Sequence, residues 1–192
     1  MQDGMGFYIG RESRMVKNLE NIRSLILVSA IAWPICGRCD EHLLQQLSAS
    51  QIENNCNLGL YSIDGEAVSL GRSDHYLDLR WVCDGRPVRD IDRYEIEGGS
   101  PDVVTILYRK KRNIIVLVRW MSNSQAADVQ GDYYKIYAYR YTPDDPMKPF
   151  SRELRIMNKL GEGWDGAMNG EVVHFPYKDA GSIRKALNRL GY

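Results

Sequence analysis

Asn113-Ile-Ile-Val-Leu-Val-Arg-Trp-Met121 decides the fold. Side chains alternate across an extended chain, so Ile114, Val116, Val118 and Trp120 share one face, and Ile115, Leu117, Arg119 and Met121 share the other. Two largely apolar faces built from β-branched residues mark a strand covered on both sides, at the centre of a sheet. Asp102-Val-Val-Thr-Ile-Leu-Tyr-Arg109 precedes it, and the Lys110-Lys-Arg112 turn is short enough to join the two as an antiparallel hairpin. Tyr133-Tyr-Lys-Ile-Tyr-Ala-Tyr-Arg-Tyr141 follows as a third strand, with Tyr133, Lys135, Tyr137, Tyr139 and Tyr141 on one face. This tyrosine row reads as a half-buried surface with its phenol tips in water. It also makes Tyr133, Tyr137 and Tyr139 candidates for contact with a partner, since tyrosine is favoured at interfaces.

The pattern continues upstream in short strands separated by turn residues. Leu58-Gly-Leu-Tyr-Ser-Ile63 runs into Asp64-Gly65, and Tyr76-Leu-Asp-Leu-Arg-Trp-Val82 ends before Asp84-Gly85. Ile91–Ile96 stops at Gly98-Gly99. Three helices are expected: a short one after Asp40 with Leu43, Leu44 and Leu47 on one side, Ser151–Leu160 ending at Gly161, and a closing helix over 179–190. In the last, Asp179 or Ser182 caps, and Ile183, Ala186, Leu187 and Leu190 form the buried stripe. Gly161-Glu-Gly-Trp-Asp-Gly166 reads as a glycine-rich loop, and Glu171–Phe175 as one more strand. The class expected is α+β, a mainly antiparallel sheet with a few short helices, one of them C-terminal.

The chain of 192 residues balances 25 Lys plus Arg against 25 Asp plus Glu. A neutral chain has no basic excess to hold a phosphate backbone and no nucleic-acid motif, so nucleic acid is not the expected partner. Near the start, Ser24-Leu-Ile-Leu-Val-Ser-Ala-Ile-Ala-Trp33 is an apolar run preceded by Lys17 and Arg23 and closed by Ala30-Ile-Ala32. That is the pattern of a secretory signal over 1–32, cleaved after Ala32, with Met15 as an alternative start. The run is too short to span a bilayer comfortably, so no stable membrane span remains after cleavage. Residues 33–192 then form one β-rich domain in the periplasm, the alternative being a cytoplasmic protein with a buried N-terminal element.

Export bears on the cysteines. Cys36-Gly-Arg-Cys39 lacks both the βαβ context of a redox motif and a second ligand pair for zinc. Cys56 and Cys83 flank strands that can lie side by side, and in an oxidising compartment they are the candidate disulfide. In a reducing one they are two buried thiols. His42, His75 and His174 lie far apart, Ser73-Asp-His75 cannot form a triad from consecutive residues, and there is no Walker loop or Gly-x-Ser-x-Gly elbow. No catalytic residue, metal or cofactor is expected. Glu162 and Asp165 are conceivable paired carboxylates. A plainer use of their loop is as a probe, with Trp164 as an aromatic anchor flanked by acids, and Glu162, Trp164 and Asp165 join the partner-binding candidates.

Asn55-Cys-Asn-Leu-Gly-Leu-Tyr-Ser-Ile-Asp-Gly65, Leu117-Val-Arg-Trp120, Gly131-Asp-Tyr-Tyr-Lys-Ile-Tyr137 and the closing Tyr177-Lys-Asp-Ala180 resemble stretches of small periplasmic proteins of Gram-negative bacteria. Those proteins are encoded beside secreted antibacterial toxins, including type VI secretion toxins. The resemblance covers most of 55–192 and transfers no site residue. It implies an immunity protein: a non-enzymatic module that neutralises a cell-envelope-targeting toxin or enzyme by occluding its active site. The alternatives are an envelope structural or assembly factor and an envelope hydrolase whose groups converge only in three dimensions.

Overall fold

The computed structural model describes residues 41–64, 74–110, 112–124, 128–145 and 148–192. The expected signal segment and its cleavage point, the alternative start, Cys36 and Cys39 lie outside the described residues.

Strands β1 (Glu41–Ser48), β2 (Cys56–Asp64), β3 (His75–Cys83) and β4 (Arg89–Tyr94) form one antiparallel sheet in that order. Strands β5 (Pro101–Arg109), β6 (Asn113–Ser124), β7 (Val129–Tyr141), β8 (Phe150–Arg152), β9 (Glu162–Met168) and β10 (Glu171–Val173) form the second, ordered β10-β9-β7-β6-β5 with β8 also on β7. Helices α1 (Leu154–Leu160) and α2 (Ala180–Arg189) complete the described elements. The α+β class and the mainly antiparallel sheet are as the sequence predicts.

β6 is the hinge of the packing, as its two apolar faces require. Ile114, Val116, Val118 and Trp120 enter one core with Leu58, Leu60, Leu77, Leu79 and Trp81 of the first sheet. Ile115 and Leu117 enter a second core with Ile156 and Leu160 of α1 and Ile183, Ala186 and Leu187 of α2. The second sheet is thus the middle of three layers. Each fully buried aliphatic side chain contributes about 1.5–3 kcal/mol, and β6 collects that from both faces.

The tyrosine row is where the structure departs from expectation. Tyr137, Tyr139 and Tyr141 are not wet: they are buried between the two sheets, with Tyr139 only 1% exposed. The first sheet lays its leucines on this face, so the phenols must find partners inside. Tyr139 donates to Asp92 Oδ2 at 2.8 Å, which leaves its oxygen free to accept from Tyr94, 3.1 Å away. Arg152 grips the same Asp92 at 2.8–3.1 Å. Burial holds the Tyr94 and Tyr139 hydroxyls neutral, far above the ordinary phenol range. The chain of bonds ties β4 of one sheet to β7 and β8 of the other.

Two expected local structures are replaced. The segment after Asp40 is not a helix but β1, whose register runs against β2 from Glu41 opposite Ile63 to Ser48 opposite Asn57. Its leucines suit a helix, yet the free edge of β2 offers a full ladder of backbone partners, and pairing overrides a weak propensity. The 161–166 stretch is not a loop: Gly161 ends α1 and Glu162 opens β9. The closing helix is as predicted. Asp179 is its cap, accepting from Ser182 N–H at 2.9 Å in a capping box, though Leu190 falls at the C-cap and is 38% exposed.

On the outer face of the first sheet, Asp78 lies almost wholly buried between two arginines. Arg93 bonds it through Nε at 2.7 Å and Nη2 at 3.1 Å, and Arg80 through Nη2 at 3.0 Å. Tyr76 and Tyr61 stack beneath the two guanidiniums, 4.1 and 4.5 Å from ring centre. Burial works against the Asp78 charge, but the hydrogen bonds and charges of Arg93 and Arg80 outweigh it and hold the carboxyl below its ordinary 3.8. A depressed folded value gives stability that is complete above the unfolded value and is lost as pH falls through the folded one. Acid unfolding below pH 4 should therefore flatten in Asp78→Asn, checked by urea midpoints across the acid limb. An unchanged pH slope would remove Asp78 from that role.

Candidate functional site

Beyond the first sheet's cover, β9 and β10 extend the second sheet outward, and the candidate site lies on this extension. Gly161, at φ 74°, ends α1 and turns the chain directly into β9. The other two glycines of the stretch serve close approach: a Cβ on Gly163 would lie 3.1 Å from the Phe175 ring. Gly166 faces Gly131 of β7 in register, and a Cβ on Gly166 would lie 2.3 Å from the Gln130 carbonyl oxygen. Only glycine permits these two backbones to pair there.

Register then lines up three aromatics. Trp120 of β6 pairs with Tyr133 of β7, and Tyr133 with Trp164 of β9. Ring centroids are 6.0 Å apart between Trp120 and Tyr133 and 5.5 Å between Tyr133 and Trp164. Along this rung burial falls from a fully enclosed Trp120 to half-buried Tyr133 and Trp164. Such cross-strand aromatic pairs hold one another in place, so Trp164 stands on a rigid base. Trp120 is anchored further by its indole N–H, which donates to the Glu95 carbonyl at 2.8 Å.

Glu162 lies on the same face as Trp164, two residues along, and pairs with Lys135 at 3.2 Å while remaining half exposed. Burial and the neighbouring Glu162 both push the Tyr133 hydroxyl above its ordinary range, so it stays a neutral donor. Asp165 points the other way. Its carboxylate accepts from Lys178 Nζ at 2.8 Å and Phe175 N–H at 3.3 Å and contacts His174 Nδ1 at 3.2 Å. Lys178, with His174, holds it below the usual carboxylate range. Its bonds fasten β9 to the segment after β10.

Of the six partner-binding candidates, the fold brings Tyr133, Glu162 and Trp164 together on one open face. Asp165 is turned to the opposite face, and Tyr137 and Tyr139 are inside the sandwich. Glu162 and Asp165, on opposite faces of one strand, do not form an acid–base pair. Trp120 and Lys135 complete the site and were not singled out from sequence; the signal for them is the hairpin register between the strands at 113–121 and 133–141. Among the described residues, no group of three or more His, Cys, Asp or Glu is arranged to hold a metal ion. No helix among them is long and apolar enough to cross a membrane. Compared with known protein families, curated proteins and solved structures, the chain has no significant match.

Proposed function

We propose that the chain is an exported protein-binding module, an immunity or inhibitor protein that neutralises a cell-envelope-targeting toxin or enzyme by occluding its active site. The observation that carries this reading is the Trp120–Tyr133–Trp164 rung, which delivers aromatic surface from the closed core to an open sheet extension beside the half-exposed Glu162. Occlusion needs shape and a few rigid anchors rather than reacting groups. Trp164 supplies apolar area at low entropy cost because Tyr133 already holds it. The half-exposed Glu162, paired with Lys135, gives the patch a polar rim, which suits a polar cleft in the partner.

The test is binding to the product of the adjacent gene. The mature protein should capture that product and protect cells carrying it. Trp164→Ala should weaken capture by about thirtyfold or more, as a hot-spot truncation of about 2 kcal/mol does, with the melting temperature little changed. Val172→Ala, on the opposite face of the same extension and 70% exposed, should bind as the parent does. No capture of the neighbouring product, together with full resistance in a deletion strain, ends the proposal.

A further inference from the structure

At the other end of β6, and on its opposite face, cations converge on a hollow of about 420 Å³ lined by Lys110, Arg112, Asn113, Arg140, Arg155 and the chain's last three residues, Leu190–Tyr192. Its construction follows from register. Asn113 pairs with Arg109 of β5 and Arg140 of β7, so the three stand level across three strands, at the end of the face that the helices cover. The β5–β6 turn adds Lys110 and Arg112, and the first turn of α1 adds Arg155. Among the described residues, no acidic side chain lines the hollow. Arg109 is spent on the Tyr192 carbonyl oxygen, at 2.7 and 3.1 Å, and on Asn188. Arg140 reaches Glu153 outside the hollow. Arg112 has no ion pair or side-chain hydrogen bond among the described residues. Even with a terminal carboxylate counted at Tyr192, Glu153 and that group face five cations. In a chain whose charges balance overall, that local excess is built by the fold.

Asn113 supplies the second observation. It is 6% exposed as a residue, lines the hollow and makes no side-chain hydrogen bond among the described residues. Its amide is still reached by solvent at the hollow, so its N–H group can donate to a ligand oxygen there.

We propose that this hollow binds a phosphoryl group, as inorganic phosphate or a small phosphate monoester. Three planar guanidiniums, an ammonium and an amide present more donors than two carboxylate oxygens accept, and they suit the three terminal oxygens of a phosphoryl group. Arg112 and Arg155 take the oxygens laterally, Lys110 closes the mouth beside Gly191, whose carbonyl it already bonds at 2.5 Å, and Asn113 donates its N–H group. The site is separate from the aromatic rung and does not depend on the partner reading.

Titration calorimetry of the full chain at constant ionic strength tests it, using inorganic phosphate, glycerol 3-phosphate and acetate. Phosphate or glycerol phosphate should bind at least about tenfold more tightly than acetate, and the tighter of the two identifies the free anion or the ester as the source. Arg112→Ala should weaken binding by about tenfold or more, the loss of one charge-assisted contact. Lys110→Gly is the variant that cannot be dismissed as misfolded. Lys110 sits at φ 49°, where glycine is favoured, so the melting temperature should hold or rise while affinity drops. No heat with either phosphate, equal binding of acetate, or unchanged affinity in both variants overturns the proposal.

Discussion

Trp120→Ala should lower the unfolding free energy by about 3–5 kcal/mol, the range for truncating a fully buried aromatic. Trp120 has no exposed surface and pairs with Pro101 on one side and Tyr133 on the other. Its removal opens a cavity at the join of the two sheets, because the indole N–H also holds the Glu95 carbonyl just after β4. Against a typical total of about 5–15 kcal/mol, that loss should move the urea midpoint strongly. Trp120→Phe separates the parts: it keeps most of the packing, deletes the donor and should cost about 1–2 kcal/mol. The effect should also reach the open face. With Trp120 gone, Tyr133 loses its inner neighbour, and Trp164→Ala should cost less partner affinity in that background than in the parent, a coupling that a double-mutant cycle reads. A Trp120→Ala cost under 1 kcal/mol would contradict the buried join.

What was legible from sequence divides along physical lines. The two apolar faces of Asn113–Met121 state directly that something covers each side, and two cores do. Alternation at Tyr133–Tyr141 states which residues share a face but not whether that face is wet, because tyrosine suits both an interior and an interface. The decision comes from Leu58, Leu60, Leu77, Leu79 and Trp81, five apolar side chains on neighbouring strands that need a second sheet to cover. Only the tyrosine face is available to them. At Gly161–Gly166 the composition points to a loop, since glycine most often marks a turn. At Gly166 the reason for glycine is the backbone of β7 lying against it, and at Gly163 the Phe175 ring, long-range facts absent from local sequence. The candidate site suffered in the same way: Trp164 and Glu162 were visible as residue types, while the rung that stiffens them and the basic hollow around Asn113 exist only through register.

Cys56 and Cys83 crosslink the first sheet. They are direct cross-strand partners on β2 and β3 and are bonded in the structure, both buried, and 27 positions apart in sequence. Closing a loop of that length restricts the unfolded chain, and replacing both by serine should cost about 3–4 kcal/mol on the chain-entropy account. The loss should be the same for either single substitution, since one cysteine alone cannot close the loop. It should also appear in the parent protein unfolded in the presence of a thiol reductant. If each single variant lost only part of the effect, packing of the sulfurs rather than the crosslink would be its source. The proposed export is tested on the same pair. Protein recovered from an oxidising envelope should have a mass lower by two hydrogens than its reduced form and an N-terminus near Trp33. Protein kept in the cytoplasm with an intact leader should carry free thiols and the lower stability of the serine variants. A chain found fully reduced, with its leader intact, in the cells that make it would sink both the export reading and the toxin-facing role built on it.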